Sequence, residues 1–173
     1  MRTFKNEIID CFPTNERGIA IPLNIDIDGT IILHGYDCSE EDFKINGDVA
    51  KILNRWVEKY NCTINIYTTR EGEKLEEAKR IFERYGIPYH SVGGNQQQKR
   101  WTSSNKQYGF VIDDMSAVDV FYDENGRAFV NWESIVKVFE PRLEYMHKLI
   151  QEIENEQNTC LKSCVVQRTV RAT

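Results

Sequence analysis

The sequence predicts one α/β domain built on a central parallel sheet wound with helices on both faces. Short β-branched runs alternate with stretches of helical periodicity. A chain of 173 residues with 40% apolar content suits a single globular core. Two of the β-type runs also end in adjacent or near-adjacent aspartates, a pattern that belongs at the edge of such a sheet rather than in its interior.

The elements follow in order. "IPLNID" is the first β-type run, and "NGDVAKILNRWVEKY" then sets Val49, Ile52, Leu53, Trp56, Val57 and Tyr60 at helical spacing. "CTINIYTT" is the second β-branched run. "EGEKLEEAKRIFERYG" places Leu75, Ala78, Ile81, Phe82 and Tyr85 on one helical face and stops at Gly86, a natural residue just past a helix end. "IPYHSV" gives a short third strand and "YGFVIDD" a fourth, and strands alternating with helices of this length argue for a parallel sheet. "VFYDENGRAFVNW" reads as a hairpin with a two-residue turn at Asn125-Gly126.

After Pro141 the chain changes character. Leu143, Met146, Leu149, Ile150 and Ile153 fall at three and four spacing amid charge, which predicts a C-terminal helix over residues 141–159. Its apolar stripe either packs on its own domain or forms a short homodimer seam. Residues 160–173, "CLKSCVVQRTVRAT", lack periodicity and read as a flexible tail. The body of the domain is residues 1–140.

Net charge is 22 minus 27, or −5, with the acids spread along the chain, so no basic field exists to hold long nucleic acid. No apolar run approaches the roughly 18 residues that span a bilayer. Five cysteines, Cys11, Cys38, Cys62, Cys160 and Cys164, form no compact framework, and "MRTFKNEIIDCF" lacks the apolar core of a signal peptide. A cytoplasmic location is expected. Cys160 and Cys164 lack the partners that would complete a four-ligand metal site and are read as ordinary thiols.

The terminal acids acquire a purpose from the sheet, because in an open parallel sheet the ligand crevice lies outside the carboxyl ends of the strands. Asp26 and Asp28 end the first strand, Thr68 ends the second, Lys106 stands just before the fourth, and Asp113 with Asp114 ends the fourth. Four carboxylates in one crevice repel one another by several kcal/mol at low dielectric unless a cation neutralises them, and all-oxygen ligation favours Mg²⁺. A lysine and a threonine hydroxyl beside such an ion suit a phosphoryl group. Gly29 lets the backbone turn closely around the site, and Thr30 supplies a further hydroxyl.

These residues resemble a known family. "DIDGT", "IYTTR", a downstream lysine and "VIDD", in this order and on these strands, are similar to the four motifs of the haloacid dehalogenase superfamily of phosphohydrolases, over roughly residues 20–135. The stretch from "TTREGEKLEEAKRIFERYG" to "VIDD" resembles more narrowly the small capless members found in bacteria and their phages. The resemblance implies a Rossmann-like three-layer α/β/α catalytic domain. It further implies Asp26 as the nucleophile that takes the phosphoryl group and Asp28 as the acid that protonates the leaving oxygen and then activates water. Thr68 would hydrogen-bond the phosphoryl oxygens, Lys106 would hold Asp26 and the phosphoryl charge, and Asp26, Asp28, Asp113 and Asp114 would surround Mg²⁺, with Asp28 contributing its backbone carbonyl.

Lys106 is placed ahead of its rival Lys99, in "QQQKRW", because it immediately precedes the fourth strand. Gly29, Thr30, Thr69 and Arg70 are the candidates for contacting substrate. Arg70 is read either at the crevice rim or as a solvated arginine opening the second helix. His34 and Tyr36, in "ILHGYD", lie where the family's flap would be, and His90 is expected to be packed within the third strand.

About fifteen residues separate Thr30 from the next helix, and the interval after the second motif is filled by one helix, one strand and a loop, so no sizeable cap domain fits. An open site admits bulky phosphorylated substrates. Similar motif layouts in deoxyribonucleotidases and in the phosphatase halves of polynucleotide kinases point to a nucleotide or a nucleic-acid 3′-phosphate. A dehalogenase would not need the Asp28 and Asp113/Asp114 set. The alternative is a non-catalytic scaffold whose C-terminal helix binds a partner.

Overall fold

The computed structural model describes residues 4–33, 43–93, 109–115 and 119–170. Its centre is a four-stranded, wholly parallel sheet made of β3 (Ile21–Ile25), β4 (Cys62–Tyr67), β5 (Ser91–Gly93) and β6 (Phe110–Ile112). Before it come α1 (Phe4–Cys11) and a small antiparallel pair, β1 (Thr14–Asn15) with β2 (Gly18–Ile19), which the sequence patterning did not single out. The helices α2 (Val49–Tyr60) and α3 (Gly72–Tyr85) connect β3 to β4 and β4 to β5. A hairpin of β7 (Val120–Tyr122) and β8 (Ala128–Val130) leads into a long final helix, α4 (Trp132–Val170).

The order across the sheet is β5-β4-β3-β6. The chain therefore winds outward from β3 through β4 to β5 and then returns to the other side of β3. The point where the winding reverses lies between the ends of β3 and β6, the place where open α/β sheets form their ligand crevice. Both strands are followed at once by aspartates, Asp26 and Asp113.

Helix boundaries have local causes. Helix α3 stops because Gly86 turns left-handed at φ 63° and its amide donates to the carbonyls of Phe82 and Glu83. Helix α2 ends the same way at Asn61, φ 54°. Residues 21, 23 and 25 of β3 alternate onto the face covered by α2 and α4 and are fully buried. Trp56 of α2 forms the hub of that layer, 6.1 Å from the Trp132 ring and stacked at 6.2 Å on Phe139. Its indole N–H donates to Glu140 Oε1 at 3.0 Å, and Arg55 pairs with the same carboxylate.

Helices were expected on both faces. Among the described residues, α2 and α4 share one face. The opposite face carries a polar ladder in register: Ser91 Oγ donates to Asn65 Oδ1 at 2.8 Å and Asn65 Nδ2 to Asn24 Oδ1 at 3.2 Å.

Three boundaries differ from expectation. The hairpin turn is not a two-residue one: Gly126 N donates to Asp123 O at 3.0 Å and Gly126 sits at φ 74°, a tight turn followed by a left-handed residue. The final helix begins at Trp132, not at residue 141, with Asn131 Oδ1 accepting from Ser134 N at 3.2 Å as its cap. Pro141 lies inside it. Proline removes one amide donor, but burial of Phe139 and Leu143 on either side of Pro141 holds the helix together across that gap. The backbone stays helical to Val170, over most of the stretch expected to be a tail, giving a helix of about 58 Å. Leu143, Ile150 and Ile153, the stripe read as either core or dimer seam, are buried in the domain's own core. No helix among the described residues is long and apolar enough to cross a membrane.

Candidate active site

The turn after β3 is built by backbone bonds from the residues of "DIDGT". Asp26 N extends the ladder to Ile112 O at 3.1 Å, so the ends of β3 and β6 are locked side by side. Gly29 then takes φ 73° and donates to Ile32 O at 2.9 Å, while Thr30 and Ile31 return to Ile27 O. The turn is pinned from outside as well. Thr30 O accepts from Asn46 Nδ2 at 3.1 Å and from the Trp132 indole at 2.8 Å, and Gly29 O accepts from Val130 N at 2.9 Å.

Carboxylate oxygens of Asp26, Asp113 and Asp114 come within 4.8 Å of one another. Asp113 is held at both oxygens: Met115 N donates to Oδ1 at 2.8 Å and the Tyr67 hydroxyl to Oδ2 at 2.5 Å. Asp114 is fixed through its amide, which donates to Thr30 Oγ1 at 3.1 Å. Its carboxylate packs on Gly29 so closely that a Cβ there would lie 2.5 Å from Oδ2. Burial, with added repulsion from Asp113, Asp28 and Asp114, pushes the Asp26 carboxyl up to about 8. Burial and the neighbouring Asp113 push Asp114 up to about 6. The Tyr67 phenol is raised by burial and by its bond to Asp113, so it remains a proton donor.

Asp28 does not join this cluster. Its carboxylate receives Arg70 Nε at 3.0 Å and Nη2 at 2.5 Å, a two-pronged pair that fixes its plane. Arg70 is fully buried, with its guanidinium 5.5 Å over the Phe43 ring, and its backbone N–H donates to Thr68 Oγ1 at 3.1 Å.

Set against the expected site, the structure brings together Asp26, Asp113 and Asp114 and turns the fourth acid, Asp28, toward Arg70. Thr68 lies at the end of β4 as expected, buried, with its hydroxyl engaged by Arg70 N. The Thr30 hydroxyl is likewise engaged, by the Asp114 amide, and acts on the loop rather than standing open. Thr69 is exposed. Arg70 is neither solvated nor at a rim. His90 is exposed and lies just before β5, where its Nδ1 accepts from Ile64 N at 2.9 Å. Lys106, Lys99, His34 and Tyr36 lie outside the described residues. Tyr67 was missed, because in "INIYTT" it reads as one more strand-forming residue.

The donor set suits a small hard cation. It is all oxygen, it holds three acids in close contact, and among the described residues no lysine or arginine forms an ion pair with any of the three.

No family model and no curated protein matches the chain. The solved structure of a conserved protein from Bacteroides thetaiotaomicron is similar at 20% identity, covering 71% of this chain and 92% of that one, with a TM-score of 0.47.

Proposed function

We propose that this protein is a Mg²⁺-dependent phosphomonoester hydrolase of the haloacid dehalogenase type, working through an aspartyl-phosphate on Asp26. A nucleotide or a nucleic-acid 3′-phosphate is the favoured substrate. The observation that supports it best is the convergence of Asp26, Asp113 and Asp114 at the reversal point of the sheet, with Asp28 held apart by Arg70. On this basis the sheet is the centre of a capless, Rossmann-like α/β domain. The free thiols of Cys11 and Cys62 accord with a cytoplasmic setting.

A buried carboxylate whose proton is held up to about 8 is a poor nucleophile at neutral pH unless positive charge is supplied beside it. Asp26, Asp113 and Asp114 would hold Mg²⁺, which would supply that charge and shield the phosphoryl oxygens. Asp26 attacks phosphorus, the bond to the ester oxygen breaks, and that oxygen takes a proton from Asp28, which must first be protonated and give up one of its two bonds to Arg70. Arg70 stabilises the carboxylate Asp28 has then become. Asp28 next removes a proton from water as the water oxygen attacks the phosphorus of the acyl phosphate. The bond to Asp26 breaks, inorganic phosphate leaves, and both aspartates return to their starting states. Separation of the two acids suits this division of labour, since Asp26 needs a cation beside it and Asp28 acts on the leaving oxygen and the water away from that cation.

The test is an assay of phosphorylated metabolites, nucleotides and 3′-phosphorylated oligonucleotides, with Mg²⁺ and with EDTA, on the wild type and on Asp26→Asn. Turnover of at least one class that needs Mg²⁺ and disappears in a folded Asp26→Asn variant is the expected result. Hydrolysis that survives EDTA or the substitution overturns the assignment. A chain inert toward all classes yet still binding Mg²⁺ favours the non-catalytic scaffold.

A further inference from the structure

Tyr67 is the last residue of β4, and Asp113 is the first residue beyond β6. Between those strands lies β3, so the two residues stand two strand spacings apart, about 9.6 Å. The Tyr67 hydroxyl nonetheless donates to Asp113 Oδ2 at 2.5 Å. Only a long side chain closes that gap. Its ring therefore crosses the C-terminal end of β3, where Asp26 is attached, and the side chain is buried in doing so, at 6% exposure. With Met115 N on the other oxygen, both ends of the Asp113 carboxylate are fixed, one of them by a group from a different part of the sheet.

Fixing both ends matters for the choice of ion. Mg²⁺ demands near-ideal octahedral geometry, whereas Ca²⁺ accepts looser and more numerous oxygen ligands. A carboxylate free to rotate serves Ca²⁺ nearly as well as a fixed one, but serves Mg²⁺ worse. Hydrogen-bond partners behind a ligand orient it in this way, and their loss typically weakens metal binding ten- to a hundredfold.

We propose, building on the metal site assigned above, that Tyr67 is a positioning residue whose hydroxyl fixes the Asp113 carboxylate from across β3 and thereby sets the preference of the site for Mg²⁺ over Ca²⁺. It touches neither substrate nor ion and acts through Asp113. Phenylalanine at this position keeps the ring and removes the donor.

Calorimetric titration of the full chain with MgCl₂ and with CaCl₂ tests this without any substrate. Tyr67→Phe is expected to lose roughly tenfold in Mg²⁺ affinity and distinctly less in Ca²⁺ affinity, so that the ratio of the two falls. In an Asp113→Asn background the same substitution is expected to add no further change. Tyr67→Met, which also lacks the donor, is expected to reproduce the shift and serves if the phenylalanine variant fails to fold. An unchanged ratio, equal losses for both ions, or a full effect in the Asp113→Asn background overturns the role given to Tyr67. If the wild type itself binds no Mg²⁺, the metal assignment fails first, and that outcome is told apart by the wild-type titration alone.

Discussion

Arg70, with no solvent exposure, chelates Asp28 through Nε at 3.0 Å and Nη2 at 2.5 Å. The two residues are 42 positions apart and belong to different strand ends, so the pair ties the turn after β3 to the start of α3. Removing one partner from such a pair leaves the other charge desolvated and unmatched.

Arg70→Ala is therefore expected to destabilise the fold by about 3 kcal/mol, through the stranded Asp28 and the space left over Phe43. Arg70→Lys keeps the charge but cannot bind two carboxylate oxygens in one plane, so it is expected to retain most of the stability and lose much of the turnover. Urea unfolding and steady-state kinetics on the two variants separate the effects. Equal losses in both measurements for Arg70→Lys would mean that the arginine serves the fold alone.

Gly29→Ala carries two penalties at one atom. The backbone there is left-handed at φ 73°, which costs a residue with a Cβ about 1–2 kcal/mol. That Cβ would also meet Asp114 Oδ2 at 2.5 Å and push the carboxylate away from its neighbours. Thermal melting is expected to show a modest loss of stability without Mg²⁺ and a nearly complete loss of the stabilisation that Mg²⁺ brings. A variant that melts early but responds to Mg²⁺ in full would show that Asp114 moves without consequence.

Periodicity and end signals made the helices and strands around the site legible in the sequence. The 3.6 spacing of Val49 to Tyr60 and the Gly86 stop appear in the structure as α2 and the end of α3. Convergence of Asp26 with Asp113 was legible too, because strand ends in a parallel sheet meet at one edge. Long-range pairing was not. Nothing local in "TTREG" tells a buried arginine from a solvated one, and the choice was made by Asp28 from 42 residues away. Tyr67 was hidden by its own propensity, since strand-forming and hydrogen-bonding tyrosines look alike. Pro141 misled because a proline ordinarily ends a helix, whereas here packing of Phe139 and Leu143 outweighs one lost bond.

The acid cluster links stability, pH and Mg²⁺ in a way that can be measured without substrate. Burial raises the Asp26 carboxyl from the ordinary 3.8 to about 8 and Asp114 from 3.8 to about 6. The folded chain without metal therefore holds these protons more tightly than the unfolded chain. For these groups stability is greatest below about pH 4 and declines as the pH rises through 6 and then 8. Melting of EDTA-treated protein is expected to show that decline, and Asp26→Asn, which removes the most strongly shifted group, is expected to flatten it. Mg²⁺ competes with the same protons, so its effect has the opposite slope: small at pH 5, large at pH 8.5. Where it binds in hundredfold excess over Kd it adds about 2.7 kcal/mol to the folded state. Asp113→Asn combined with Asp114→Asn is expected to abolish that gain at every pH. A Mg²⁺ response of equal size at pH 5 and 8.5, or one that persists in the double variant, would place the ion somewhere other than among Asp26, Asp113 and Asp114.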